Sequence, residues 1–205
     1  RTPITSLRHA LRAVGQKLGI EDKVLVEEFA TNLGKIERLL GETLSFAKPL
    51  KPDRKLVPLA ALVEAALQEA RGADTLAEIA VQRRGLDSIH VDVDPQLFGQ
   101  VLSNLLRNAA EACGGKGRVE VEARVGPQGL VLDVADDGPG VPADKRTEIF
   151  KPFSSSKSYG TGIGLAFSRK VIESHGGTID LMPAGTGLGD GAGVGARFRI
   201  TLPPV

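Results

Sequence analysis

Residues 95–140, PQLFGQVLSNLLRNAAEACGGKGRVEVEARVGPQGLVLDVADDGPG, decide the fold class. Pro95 is suited to the first turn of a helix, whose missing N–H costs nothing there, and Gly114-Gly115 stop the helix after Cys113. The period then changes from helical to two. Val119, Val121, Ala123 and Val125 alternate with polar or charged neighbours, Gly126-Pro127-Gln128-Gly129 turns the chain, and Leu130, Leu132 and Val134 resume the alternation. A long helix followed by a hairpin with one apolar face requires helices on one side of a sheet. Outward from this stretch the same grammar predicts a helix over about 58–71 and strands near 77–83 and 88–93. Beyond it a helix runs to Ser174, and two strands follow near 177–182 and 196–202. With most strands paired as hairpins, the class is an α+β sandwich of two layers.

The first 48 residues belong to a different regime. Ile4, Leu7, Leu11, Val14 and Leu18 recur three or four apart, and Val26, Phe29, Leu33, Ile36, Leu40, Leu44 and Ala47 keep nearly the same rhythm. Gly19 stops the first helix, and Glu21 and Asp22 favour the start of the second. The expected element is an antiparallel helical hairpin over 1–48, a linker over 49–55 around Lys48-Pro49-Leu50-Lys51-Pro52-Asp53, and a larger domain over 56–205. A second copy of the hairpin would complete a four-helix bundle, so a homodimer is expected; packing of the hairpin on the larger domain of its own chain is the alternative.

Composition excludes several function classes. Lys+Arg 26 against Asp+Glu 25 leaves a net charge of +1, too little to hold nucleic acid or an anionic membrane by charge alone. The single cysteine, Cys113, forms no internal disulfide, and no Cys/His cluster has metal-ligand spacing, which points to a reducing, cytoplasmic setting. No apolar run approaches the ~20 residues that span a bilayer. A start at Arg1-Thr2-Pro3 without methionine reads as part of a longer chain, so any membrane contact is expected from upstream segments. Gly 25 exceeds the usual ~7% share, and the glycines crowd after Gly114, where close backbone approach to a ligand is the use for them.

Four segments carry chemistry. Asn104 and Asn108 lie four apart on one helical face, and their amide oxygens suit Mg²⁺ or phosphate-bound water; capping or back-bonding at a helix surface is the plainer explanation. Asp136-Asp137-Gly138-Pro139-Gly140 places a carboxylate at a strand end, able to accept from an exocyclic amine, or makes an ordinary Asp-Gly turn. Phe150-Lys151-Pro152-Phe153-Ser154-Ser155-Ser156-Lys157 runs into Gly160-Thr161-Gly162-Ile163-Gly164-Leu165-Ala166. There a mobile, Gly-rich lid feeds a helix N-terminus that can hold polyphosphate, with Lys157 adding a point charge. Neither the Rossmann nor the P-loop spacing is present.

In this order the four segments resemble the N, G1, F and G2 boxes of the histidine kinase catalytic domain, within the superfamily of gyrase, heat-shock chaperone, histidine kinase and mismatch-repair ATPases. The resemblance covers about 56–203, including the last strand from Gly195-Ala196-Arg197-Phe198. It implies a mixed sheet with helices on one face and ATP between helices and lid. Asn108 would ligate Mg²⁺, Asn104 would help hold phosphate, and Asp136 would bind the adenine amine. Gly138, Gly140 and Val141 would floor the base, and Lys157, Gly160, Thr161, Gly162, Gly164 and Leu165 would line the phosphates. The gyrase-like and chaperone-like relatives carry a general-base glutamate four residues before the magnesium asparagine, where this chain has Asn104. The resemblance therefore favours phosphoryl transfer to a side chain over hydrolysis.

Arg1-Thr2-Pro3-Ile4 is similar to the tail of the kinase H box, whose phosphoacceptor histidine lies three places before the arginine and so before this chain. Thr2 matches the position associated with phosphatase activity toward a response regulator, and is equally a helix cap before proline. The expected function is that of a two-component sensor histidine kinase with a response-regulator receiver domain as partner. A nucleotide-dependent dimeric interaction module and an ATPase of the wider superfamily are the alternatives. Glu111 departs from the pattern, standing where many members carry lysine beside the phosphates, which shifts weight to Lys157. Of the histidines, His9 reads as a surface residue, His90 as a solvated sheet position, and His175 as a cation at a helix C-terminus.

Overall fold

The structure, a computed structural model, describes residues 33, 43, 46, 49–72, 78–154, 161–183, 185–186 and 195–204. The hairpin predicted over 1–48, with Thr2 and His9, therefore lies almost wholly outside the described residues, as do Lys157, Gly160 and most of the 183–195 connection.

The chain runs β1 (Lys55–Pro58), α1 (Leu59–Gly72), β2 (Glu78–Arg84), β3 (His90–Val93), α2 (Pro95–Ala112), β4 (Lys116–Gly126), β5 (Gly129–Asp136), α3 (Gly164–Ser174), β6 (Thr178–Leu181) and β7 (Arg197–Leu202). Five strands form one sheet in the order β2-β4-β5-β7-β6, and β1 pairs with β3 in a separate two-stranded ribbon. β2 and β4 are parallel, whereas β4-β5, β5-β7 and β7-β6 are antiparallel, so the sheet is mixed. A mixed sheet is what the resemblance implies, with most strands paired as hairpins; β2 reaches its neighbour β4 through β3 and α2, the crossover that a parallel pair requires.

The alternation read from the sequence places Val119, Val121 and Ala123 of β4, Leu130, Leu132 and Val134 of β5, and Phe198, Ile200 and Leu202 of β7 in one core. Phe98, Leu102 and Leu105 of α2, Leu59 and Leu67 of α1 and Ile172 of α3 fill the other side of that core. The helices thus form one layer and the sheet the other. α2 is fixed at its start by Asp94, whose Oδ1 accepts from the N–H groups of Gln96 and Leu97 at 3.0 Å each.

His175 stands at the helix end as expected but not as a cation. It is fully buried at the end of α3; its Nε2 accepts from the Asp94 N–H at 2.9 Å, and its Nδ1 lies 2.8 Å from the Val171 carbonyl. One ring nitrogen accepts while the other faces an acceptor, so the ring is neutral, with the proton on Nδ1, and ties the two helices together.

The outer face of the sheet carries charge rather than apolar surface. Asp133 on β5 is 1% exposed, bound by Arg199 through two contacts of 2.8 Å and by Arg197 at 3.3 Å. Burial pushes its carboxyl up, but the hydrogen bonds and charge of Arg199 and Arg197 win and hold it below 3.8. A folded-state value below the unfolded one contributes stability that is present above the unfolded value and lost as pH falls through the folded one. Melting of Asp133→Asn is therefore expected to show a loss of about 2 kcal/mol at neutral pH, under the ~3–5 of an enclosed pair because the guanidiniums still reach water. As pH falls below the ordinary carboxylate range the variant should lose less further stability than the parent.

Candidate functional site

The end of β5 and the adjoining face of α2 frame a cavity of about 430 Å³, within the range of small-molecule sites. Its walls include Asn108 and Ala112 from α2, Asp136 from β5, and Gly140, Val141 and Pro142 from the following loop. Asp144, Lys145 and Ile149 continue that wall, Ser154, Gly162 and Leu165 come from the segments before and into α3, and Ala196 and Phe198 come from β7. Six residues singled out in the sequence thus meet in one cavity: Asn108, Asp136, Gly140, Val141, Gly162 and Leu165.

Asp136 is 2% exposed, and its Oδ1 accepts from the Gly138 N–H at 3.0 Å and the Ala196 N–H at 3.1 Å. Two strand ends therefore fix its orientation. The Asp-Gly turn anticipated as the plainer reading is present as well, since the Gly138 contact closes it. Gly138 also lies against α2, where an added Cβ would sit 3.0 Å from the Ala112 backbone. Asp137 turns the other way: its Oδ1 accepts from the Arg118 N–H at 2.9 Å and from the Cys113 thiol at 3.3 Å. Burial and this carboxylate push the Cys113 thiol up to about 11, so it is no thiolate at neutral pH.

Asn104 and Asn108 share a face but differ in surroundings. Asn104 is 7% exposed; its Nδ2 donates to Ser168 Oγ at 3.1 Å, and its Oδ1 accepts from Arg107 at 3.1 Å. Ser168 Oγ in turn donates to the Gly164 carbonyl at 3.0 Å. Gly164 must be glycine here, because a Cβ would lie 2.3 Å from Asn104 Oδ1. Asn104 thus binds α2 to the first turn of α3, a link that Ser168, four residues past Gly164, completes and that sequence reading missed. Asn108, one turn on, is half-buried and lines the cavity.

Gly162 has φ +66°, and a Cβ on it would meet the Phe153 carbonyl carbon at 2.5 Å. That contact brings the two ends of the 154–161 connection together at the cavity edge. Thr161 Oγ1 accepts from the Ile163 N–H at 3.4 Å as α3 begins. Phe150 is clamped between the Arg169 guanidinium, 3.9 Å from its centroid, and the edge of Phe198 at 6.3 Å.

The family model described as histidine kinase-, DNA gyrase B-, and HSP90-like ATPase matches residues 93–205, more than half of the chain and all of this cavity's wall. The chain belongs to that family. Within it, the sensor histidine kinase ZraS of Escherichia coli O157:H7 is 31% identical over 206 residues, covering 99% of this chain and 43% of ZraS. The chain thus spans less than half the length of this curated relative. Among solved structures, the mycobacterial sensor histidine kinase MprB superposes with a TM-score of 0.63 at 27% identity, over 74% of this chain and 99% of that one. Full-length ShkA in complex with AMPPNP superposes at 0.69 with 25% identity, over 98% of this chain and 45% of ShkA. The mixed sheet with one helical layer is the architecture that family membership implies. Among the described residues, no helix is long and apolar enough to cross a membrane.

Proposed function

We propose that this chain is the ATP-binding core of a two-component sensor histidine kinase, which phosphorylates a histidine just upstream of Arg1, on the same or the partner protomer, and passes the phosphoryl group to a response-regulator aspartate. The observation that carries this reading is the convergence of Asn108, Asp136, Gly140, Val141, Gly162 and Leu165 on one cavity. The similarity to a sensor kinase over 99% of this chain supports it. By the resemblance, we assign residues 1–48 to the dimerisation and phosphotransfer segment, 49–55 to the linker and 56–205 to the catalytic domain.

In this reading Asp136 accepts from the adenine amine, held in place by the Gly138 and Ala196 N–H groups. Gly138, Gly140 and Val141 form the floor beneath the ring, and the first turn of α3 with Gly164 and Leu165, preceded by Thr161 and Gly162, offers N–H groups and its dipole to the phosphates; Gly160, outside the described residues, is assigned to the phosphates by the resemblance alone. Lys157, outside the described residues, is assigned a charge toward the phosphates by the resemblance alone. Among the described residues no cluster of three His, Cys, Asp or Glu could hold a metal, so an ion here would take one protein oxygen, that of Asn108, beside phosphate and water. That donor set fits Mg²⁺, a hard ion that keeps waters and leans on substrate phosphates. When bound, Mg²⁺ neutralises phosphate charge and orients the γ-phosphoryl group. The residues' own work is to hold ATP so that the histidine nitrogen approaches in line: the bond from the γ-phosphorus to the bridging oxygen breaks, an N–P bond forms, and ADP leaves.

Asn104 bears on the alternative ATPase reading. Its amide is bonded to Ser168 and Arg107 and has no basic oxygen to deprotonate water. Calorimetric titration of the chain with ATP and Mg²⁺ is expected to give one nucleotide per protomer, recovered as intact ATP after hours. Steady release of phosphate would overturn the reading in favour of an ATPase.

A further inference from the structure

We propose that Arg107 is the cation that reads the terminal phosphate of the bound nucleotide, so that it discriminates triphosphate from diphosphate. The inference rests on the ATP-binding reading above.

Along α2 the cavity is lined by Ala112 and then Asn108; Asn104 stands one turn further toward the helix start, against Gly164 and Ser168 of α3. At about 3.6 residues per turn, Arg107, Glu111, Asn104 and Asn108 occupy one arc of roughly 100°. A chain of phosphates that starts from a base at Asp136 and passes Asn108 toward the first turn of α3 therefore ends beside Arg107. The guanidinium is already aimed there: its Nη2 donates to Asn104 Oδ1 at 3.1 Å, the atom that a Cβ on Gly164 would touch. Its side chain keeps 40% exposure, leaving N–H groups within reach of a ligand.

Charge makes the same case. Arg107 is the single cation of α2, and the helix's one carboxylate, Glu111, lies 4.0 Å from its Nε on the same face. A carboxylate there opposes polyphosphate, and Arg107 offsets it. Among the described residues the other nearby cations have partners of their own, including Lys145, which also lines the cavity. Arg169 stacks on Phe150, Lys170 donates to the Phe46 carbonyl, and Lys145 and Lys151 pair with Asp144 and Glu148. A planar fork reaching phosphate oxygens is the chemistry that arginine serves best.

The test is the dissociation constants of ATP and ADP, each with Mg²⁺, for the unsubstituted chain, Arg107→Gln and Arg107→Lys, with melting curves to confirm folding. Arg107→Gln is expected to weaken ATP about tenfold while ADP changes less than twofold, the loss of one charge-assisted contact to the third phosphate. Arg107→Lys keeps the charge but loses the fork, and should weaken ATP about threefold with ADP unchanged; it decides the matter alone if the glutamine variant does not fold. Equal weakening of ATP and ADP, which would mean that Arg107 only props Asn104, or no change in either variant would overturn the inference while leaving the ATP site standing. An unsubstituted chain that binds neither nucleotide would overturn both.

Discussion

Asp136→Asn is expected to lower ATP affinity about a hundredfold while leaving the fold nearly unchanged. The side chain has two tasks that the substitution separates. Its Oδ1 accepts from Gly138 and Ala196, and an asparagine oxygen in the same place keeps both bonds. The second oxygen becomes an NH₂ group, which opposes the adenine amine with a donor inside a nearly closed wall, since Asp136 is 2% exposed. Asp136→Ala would instead strip the partners from two N–H groups, at about 1–3 kcal/mol each, and confound binding with stability. Equilibrium binding of ATP alongside thermal melting distinguishes the cases; a large drop in melting temperature for Asp136→Asn would show that the carboxylate is mainly a structural tie.

Asn108→Ala is expected to cut phosphoryl transfer at least about a hundredfold and to make ATP affinity insensitive to Mg²⁺. Asn108 is half-buried and lines the cavity, whereas Asn104, its partner in the sequence, is turned into the α2–α3 contact. The two asparagines are thus expected to fail differently. Asn108→Ala should melt close to the parent, while Asn104→Ala leaves Ser168 and Arg107 without their partner in the helical interface and should melt lower. Titration of ATP with and without chelator for both variants checks this.

Much of this was readable in the sequence because the relevant signals are local. Alternation in 119–134 gave β4 and β5, and Pro95 and Gly114 bracketed α2 closely. The cavity residues fall in short segments whose chemistry is unusual for their elements: asparagines within a helix, and an acid at a strand end before glycines. What was not readable depends on partners far along the chain. β1, four residues ending in a proline, has no period of its own and exists by pairing with β3. Alternation does not report strand direction, so the mixed sheet came from the resemblance and the identity of the parallel pair, β2–β4, was not readable. Asp133 sits on the polar face, where solvent is the natural expectation, and is buried where Arg197 and Arg199 from β7 and Arg124 from β4 pair with it. His175 is buried and neutral through the Asp94 N–H, 81 positions away in sequence. Arg107 was passed over because surface arginine on a helix is ordinary; its contact with Asn104 is what distinguishes it.

The measurement that tests the kinase reading most directly is incubation with γ-labelled ATP and Mg²⁺ of this chain and of a form extended upstream to include the residues before Arg1. Any label is then tested for stability in acid and in base. The expected result is acid-labile, base-stable phosphate on the extended form, absent from the shorter chain and lost with Asn108→Ala. Tight nucleotide binding to both forms with label on neither would contradict phosphoryl transfer and leave a nucleotide-dependent interaction module.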